Sequence, residues 1–180
     1  RRRVQRASLE GGTREVTILF ADLRDFTPWV GSTPPGQVVA DLNSYFSEMD
    51  AAIRAQRGLV LQFIGDEIEA VFGAPVSDPG HPDAAVRAAI EMRSRLDAWK
   101  ERRVAAGKTP LRHGIGIHTG TVIAGNIGSS ERLSYALVGD AVNLTSRIQS
   151  LNKDFGTEIL VSGITKSRLQ SRYKLAALPA

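Results

Sequence analysis

Apolar residues run from Val16 through Ala21 with Thr17 the one interruption, too short a stretch for a buried helix, and the pattern predicts a first strand over about 15 to 22. The period then changes. After Pro34-Pro35, residues Val38, Val39, Leu42, Tyr45, Phe46, Met49 and Ile53 recur at helical spacing, so an amphipathic helix follows and ends near Gly58. Two short apolar runs, 59 to 64 and 67 to 72, are separated only by Gly65-Asp66, the two-residue loop that closes a β-hairpin. Pro82 opens a second long helix through Ala85, Val86, Ala89, Ile90, Met92, Leu96 and Trp99, closed by Gly107 and Pro110. Leu111 to His118 and Thr121 to Ile127 read as two strands, and Leu133 to Val138 as a further strand or extended arm. Asp140 is placed to cap a third helix over about 141 to 152, whose Leu144, Ile148 and Leu151 share a face. A last strand from Glu158 to Val161 precedes a short helix. Strands interleaved with long helices, with one hairpin among them, predict an α+β fold in which helices pack on a mixed sheet.

A chain of 180 residues with 42% hydrophobic content suffices for one domain with a substantial core. Residues 1 to 12, basic and polar and ending in Gly11-Gly12, read as a linker or the end of an incoming signalling helix, and 13 to 180 as the domain. With no cysteine, a disulfide scaffold, thiol catalysis and thiolate metal sites are excluded, and a cytoplasmic location is the expectation. No apolar stretch approaches the roughly 18 residues of a membrane span, so any membrane attachment is expected through segments outside this chain. The absence of an initial methionine makes the sequence read as a piece of something longer. The net charge of +4 is carried by scattered basic residues without interleaved aromatics, which argues against a nucleic-acid partner and suits a small polyanion such as a nucleoside triphosphate.

The chemistry lies at strand edges. Asp22 ends the first apolar run and Asp66 sits at the hairpin turn, where each carboxylate can leave the core and converge with the other on a hard cation. A lone aspartate after a strand is ordinarily a turn former or a helix cap; the surrounding residues point elsewhere.

Four segments, in order, resemble the catalytic domain of class III adenylate and guanylate cyclases. They are Phe20-Ala21-Asp22-Leu23-Arg24-Asp25-Phe26-Thr27, Phe63-Ile64-Gly65-Asp66-Glu67 through Phe72-Gly73, Gly114-Ile115-Gly116-Ile117-His118-Thr119-Gly120, and Val138-Gly139-Asp140-Ala141-Val142-Asn143-Leu144-Thr145-Ser146-Arg147. The resemblance implies a mixed, mostly antiparallel sheet with packed helices, the ferredoxin-like or palm-like arrangement of that family. It also implies attack of a ribose 3′-oxygen on the α-phosphorus with pyrophosphate leaving, assisted by two Mg²⁺ or Mn²⁺ ions per site. On this reading Asp22, Asp66 and the backbone of Leu23 hold the metals, while Phe26 and Thr27 lie in a turn that cradles phosphate oxygens. Asn143 orients the ribose, and Arg147, four residues on and on the same helix face, stabilises charge in the transition state. In the family the metal-holding and transition-state residues of one site come from different catalytic units. Both sets occur here in one sequence, which implies a head-to-tail homodimer with two equivalent sites.

The sequence departs from the family pattern at four places. The base-reading positions, usually Lys with Asp or Thr for adenine and Glu with a small residue for guanine, are Gln62 and Ala136. An amide both donates and accepts, so ATP is the leading substrate and GTP the alternative. Glu69, where an apolar residue is general, is expected opposite Gln62 across the hairpin, either hydrogen-bonded to it, turned to water or reading guanine. A phosphate-binding Arg is replaced by Gly114, for which Arg112, expected on the same strand face, could substitute; the family's C-terminal strand with its phosphate-binding Lys is not recognisable, so C-terminal truncation is expected. Gly114, Gly116 and Gly120 make no dinucleotide fingerprint, and His81, His113 and His118 lack metal-site spacing. A silent nucleotide-binding or dimerising module is the remaining reading, and retention of all four residues Asp22, Asp66, Asn143 and Arg147 argues against it.

Overall fold

The computed structural model describes residues 11–179. Its elements, in chain order, are β1 (Gly12–Leu23), α1 (Phe26–Gly31), α2 (Pro35–Ala55), β2 (Leu59–Ile64), β3 (Glu67–Phe72), α3 (His81–Ala105), β4 (His113–Gly128), β5 (Leu133–Val138), α4 (Asp140–Phe155), β6 (Ile159–Val161) and α5 (Gly163–Arg168). The sheet order is β2-β3-β1-β4-β5 with every pair antiparallel, and β6 adds to β4 in parallel. This is the mixed, mostly antiparallel α+β architecture. Most of the segment read as a linker or incoming helix, residues 1 to 10, lies outside the described residues, and Gly12 already belongs to β1.

β1 is buried on both faces, which is why it reads as a continuous apolar run rather than an alternation. Leu19 and Ala21 face α2 and α3, where Tyr45, Met49, Ile53, Ala85, Ala89 and Met92 complete the main core. Val16, Ile18 and Phe20 face the other way, into a smaller cluster with Val71, Val122 and Leu137. β5 lies at the opposite end of the strand order from β2, yet its Tyr135 and Leu137 share that cluster with Leu59 and Leu61 of β2. The β4–β5 arm therefore curls over the second face of the sheet.

Two expectations are corrected here. The strands read as 111 to 118 and 121 to 127 are one strand, because Gly120 does not turn the chain but pairs with Val16, within a ladder running from Gly12↔Ala124 to Leu23↔His113. Asp140 does not cap α4 with its side chain; it is the first helical residue, and Gly139 stands at the N-cap with φ 147°.

The packing of α4 inverts its amphipathic pattern. Thr145, Gln149 and Asn152 are buried, whereas Leu144, Leu151 and Phe155 are exposed. Glycines on β4 cause this. A Cβ at Gly116 would stand 2.4 Å from the Gln149 backbone nitrogen, so only a bare backbone lets the helix come so close. The buried polar groups are satisfied locally, Thr145 Oγ1 by the Ala141 carbonyl at 2.6 Å and Asn152 Nδ2 by the Ile115 and Gln149 carbonyls at 3.0 Å. No helix among the described residues is long and apolar enough to cross a membrane.

Candidate active site

β1 delivers Asp22 to its C-terminal edge, and the β2–β3 turn, with Gly65 at φ 60°, delivers Asp66 beside it. The Leu23 backbone N–H donates to Asp66 Oδ2 at 3.0 Å, which ties the hairpin tip to the strand end. A cavity of about 350 Å³ opens there, lined by both aspartates with Leu23, Phe26, Thr27 and Lys153 among its other residues.

The electrostatics follow from two half-buried carboxylates in contact. Burial, a hydrogen bond that the protonated Asp22 carboxyl donates to the Asp66 carboxylate, and the charges of Asp66 and Glu67 together push the Asp22 carboxyl up to about 8, while Lys153 opposes the shift. Glu67 is raised for the same reasons, burial first and then the charges of Asp66 and Glu69. Tyr45, fully buried beneath the pair, is raised by burial and by both aspartates. Two crowded carboxylates that retain a proton at neutral pH form a site short of cations, and their hard oxygens suit Mg²⁺ or Mn²⁺.

Between the aspartates and α2 the chain makes a tighter feature than the expected turn. Asp25 adopts a left-handed conformation with φ 56°, and Phe26 starts the short helix α1. Phe26 does two things at once, packing on the main core with its ring 6.0 Å from Trp29 and lining the cavity.

Asn143 and Arg147 share the exposed face of α4 and do not line this cavity. At a rise of about 1.5 Å per residue, Asn143 lies ~15 Å along the helix from Lys153, which does line it. Within one chain, therefore, the aspartates converge in the cavity while Asn143 and Arg147 stand outward on α4. Exposed apolar side chains lie beside them on the same helix, Leu144, Leu151 and Phe155, and Ile123, Leu133 and Val138 are exposed on the β4–β5 arm.

Gln62 and Glu69 meet as the hairpin register requires. Ile64 pairs with Glu67 and Gln62 with Glu69, and Gln62 Nε2 donates to Glu69 Oε2 at 2.6 Å. Glu69 is 6% exposed, so it is turned neither to water nor outward; burial raises its carboxyl and the Gln62 amide lowers it. Ala136 on β5 pairs with Gly125 of β4 and brings no polar group. The Arg112 carbonyl accepts from the Arg24 N–H at 2.7 Å, just beyond the Leu23↔His113 pair, and its side chain lines a groove with Arg24, Asp25 and Pro28. β4 begins one residue later, and Arg112 also lines an outer groove with Asp97, Lys100 and Glu101 instead of the aspartate cavity.

Residues 10–178 match the family described as the adenylate and guanylate cyclase catalytic domain. The chain belongs to that family. It is 39% identical over 165 residues to Adenylate cyclase 1 of Rhizobium meliloti strain 1021, covering 92% of this chain and 25% of the relative. The fold superposes on the crystal structure of the guanylyl cyclase Cya2 with TM-score 0.86 and 38% identity, over 93% of this chain and 84% of that one. It superposes on the adenylyl cyclase CyaB from P. aeruginosa with TM-score 0.82 and 32% identity, over 89% and 82%. The chain thus spans about a quarter of the length of the Rhizobium cyclase it matches. It is a class III cyclase domain, and the class is one of metal-dependent lyases acting on nucleoside triphosphates.

Lys153 is the cavity residue that the sequence reading missed. Its position in the last turn of α4 gave no signal on its own, because only the close approach of that helix to β4 carries it to the aspartates.

Proposed function

We propose that this domain converts ATP to 3′,5′-cyclic AMP and pyrophosphate at two equivalent sites of a head-to-tail homodimer. The observation that carries the proposal is the split of the machinery within one chain. Asp22 and Asp66 converge in one cavity, and Asn143 and Arg147 stand on an outward helix face beside exposed apolar residues of the same helix. A second copy would bring that face over the cavity and bury those apolar side chains.

Asp22 and Asp66, with the Leu23 backbone beside them, would hold two Mg²⁺ or Mn²⁺ ions. When bound, the ions favour ionisation of the ribose 3′-hydroxyl and neutralise charge on the departing pyrophosphate. Phe26 and Thr27 bound the phosphate end of the cavity, where the first-turn N–H groups of α1 have no partners within the helix. Asn143 of the second copy orients the ribose, and Arg147, always protonated, donates to the equatorial oxygens as negative charge spreads in the transition state. Gln62 faces the base. Adenine can give an N6 hydrogen to the amide oxygen, and the relative named an adenylate cyclase supports ATP.

One observation favours GTP as the second reading. The Gln62 amide nitrogen is engaged by Glu69, so the side chain offers its oxygen first, and guanine carries two N–H groups on that edge against the single amine of adenine. Incubation with each of the four triphosphates and Mn²⁺, read by mass spectrometry, tests the proposal. Cyclic AMP is the expected product; cyclic GMP transfers the reading to the second substrate, and linear products or none overturn it.

A further inference from the structure

We propose that Lys153 is the cation through which this chain holds the triphosphate of its substrate, its ammonium donating to phosphate oxygens in the cavity of Asp22 and Asp66. This rests on the reading of that cavity as the nucleotide site.

Gly114 pairs with Asp22 across β1 and β4. The glycine leaves room for the helix: a Cβ there would stand 2.7 Å from Gln149 Oε1 and 3.0 Å from Asn152 Cβ, so a longer side chain would have to push the Gln149 amide aside. With glycine at this strand position, no cation projects from it here. The same close approach brings the last turn of α4 to the strand end that carries Asp22. Three contacts fix that turn: Asn152 Nδ2 donates to the Ile115 carbonyl at 3.0 Å, the Arg24 guanidinium donates to the Asn152 carbonyl at 3.2 Å, and Arg24 also donates to the Thr157 carbonyl. Lys153 is the next residue, and it lines the cavity with both aspartates, Phe26 and Thr27.

The other basic groups nearby are committed elsewhere. Arg24 lines the cavity but its guanidinium serves two backbone carbonyls, and Arg112 lies in the outer groove. Among the described residues Lys153 makes no ion pair with a side chain, although its charge acts on Asp22. A cavity walled by two carboxylates repels a triphosphate unless cations offset them. An ammonium on a flexible four-carbon stem supplies a compact charge with three donors that can follow the phosphates as pyrophosphate departs.

The test is Lys153→Met beside Lys153→Arg, with thermal melting to establish that both fold. Binding of Mn²⁺–ATP and of Mn²⁺–pyrophosphate is measured by calorimetry, and KM and kcat are measured in parallel. Loss of one charge-assisted contact should weaken both ligands and raise KM by roughly tenfold or more in Lys153→Met, with kcat little changed, and Lys153→Arg should restore most of the affinity. If Lys153 only offsets the aspartates, Lys153→Met will tighten Mn²⁺ binding without nucleotide and leave KM and pyrophosphate affinity unmoved, which overturns the inference. The calorimetric arm also separates the two claims. Weakened ligand binding in Lys153→Met with a wild type that binds but never turns over would sustain Lys153 and defeat the cyclase reading.

Discussion

Gln62 and Glu69 face each other across the β2–β3 hairpin, the amide nitrogen 2.6 Å from a carboxylate that is almost wholly buried. A carboxylate accepts and an amide N–H donates, so ionised Glu69 fixes which end of Gln62 remains for a base. Replacing Gln62 by Lys should raise the kcat/KM ratio for ATP over GTP by roughly tenfold or more, because an ammonium donates to adenine N1 and opposes the N1–H of guanine. Steady-state kinetics with both nucleotides checks this. An unmoved ratio would remove Gln62 as the base reader and make Glu69 the next candidate.

Asp22→Ala and Asp66→Ala should each abolish turnover while the fold is kept, Asp66→Ala at a somewhat lower melting temperature because the Leu23 N–H loses its partner. Each change removes a metal ligand at a sheet edge without opening the core, and each relieves the crowding that holds the Asp22 carboxyl near 8. Activity and melting are measured on the same preparations, and near-normal turnover in either variant removes the metal assignment.

Metal binding should release protons. Without metal the Asp22 carboxyl is pushed up to about 8, and a ligand to Mn²⁺ must be ionised, so below that pH binding expels one proton and affinity falls up to about tenfold per pH unit. Titration calorimetry at pH 6.5 in two buffers of different ionisation enthalpy should give heats that differ by about one proton per site, and at pH 9 the difference should fall to about a tenth of that. Heats independent of buffer at pH 6.5 would show that the carboxylate pair is already ionised.

His113 should make the fold acid-sensitive. Its ring is buried, Nδ1 lies 2.9 Å from the Tyr45 hydroxyl, and burial above all pulls it down to about 3 from 6.5. Between those values the unfolded chain binds a proton that the folded chain does not, so stability is complete above 6.5 and is lost as pH falls, by up to about 1.4 kcal/mol per pH unit. Denaturant melts from pH 7 to pH 4 measure the slope, and His113→Asn should flatten it.

Much of this arrangement was legible because short-range rules fixed it. A two-residue turn leaves one register, so Gly65-Asp66 dictated both the position of Asp66 and the pairing of Gln62 with Glu69. The failures have a common physical origin in tertiary approach. Gly120 reads locally as a break but continues β4, and a Cβ there would stand 2.9 Å from Ala141 Cβ at the start of α4. The polar face of α4 reads as solvated but is buried, since glycines opposite it admit Gln149 and Asn152 to the sheet. α1 has six residues with Pro28 inside, too few for a periodic signal.

The sharing of sites between subunits can be tested by mixing. If Asp22 and Asp66 come from one chain and Asn143 and Arg147 from the other, Asp22→Ala and Arg147→Ala damage opposite halves of every site. In a mixed dimer one site then carries both lesions and the other carries none. Half of the dimers in an equal mixture are mixed and each has one intact site, so two nearly inactive proteins should recover about a quarter of wild-type specific activity once their subunits exchange. Specific activity of the wild type should also rise with protein concentration until the dimer saturates, because the site is incomplete in a monomer. Titrating one variant into the other, with exchange verified by differently tagged chains, gives the measurement. Proven heterodimers without recovery would mean that each site is built within a single chain, and the outward face of Asn143 and Arg147 would then need another explanation.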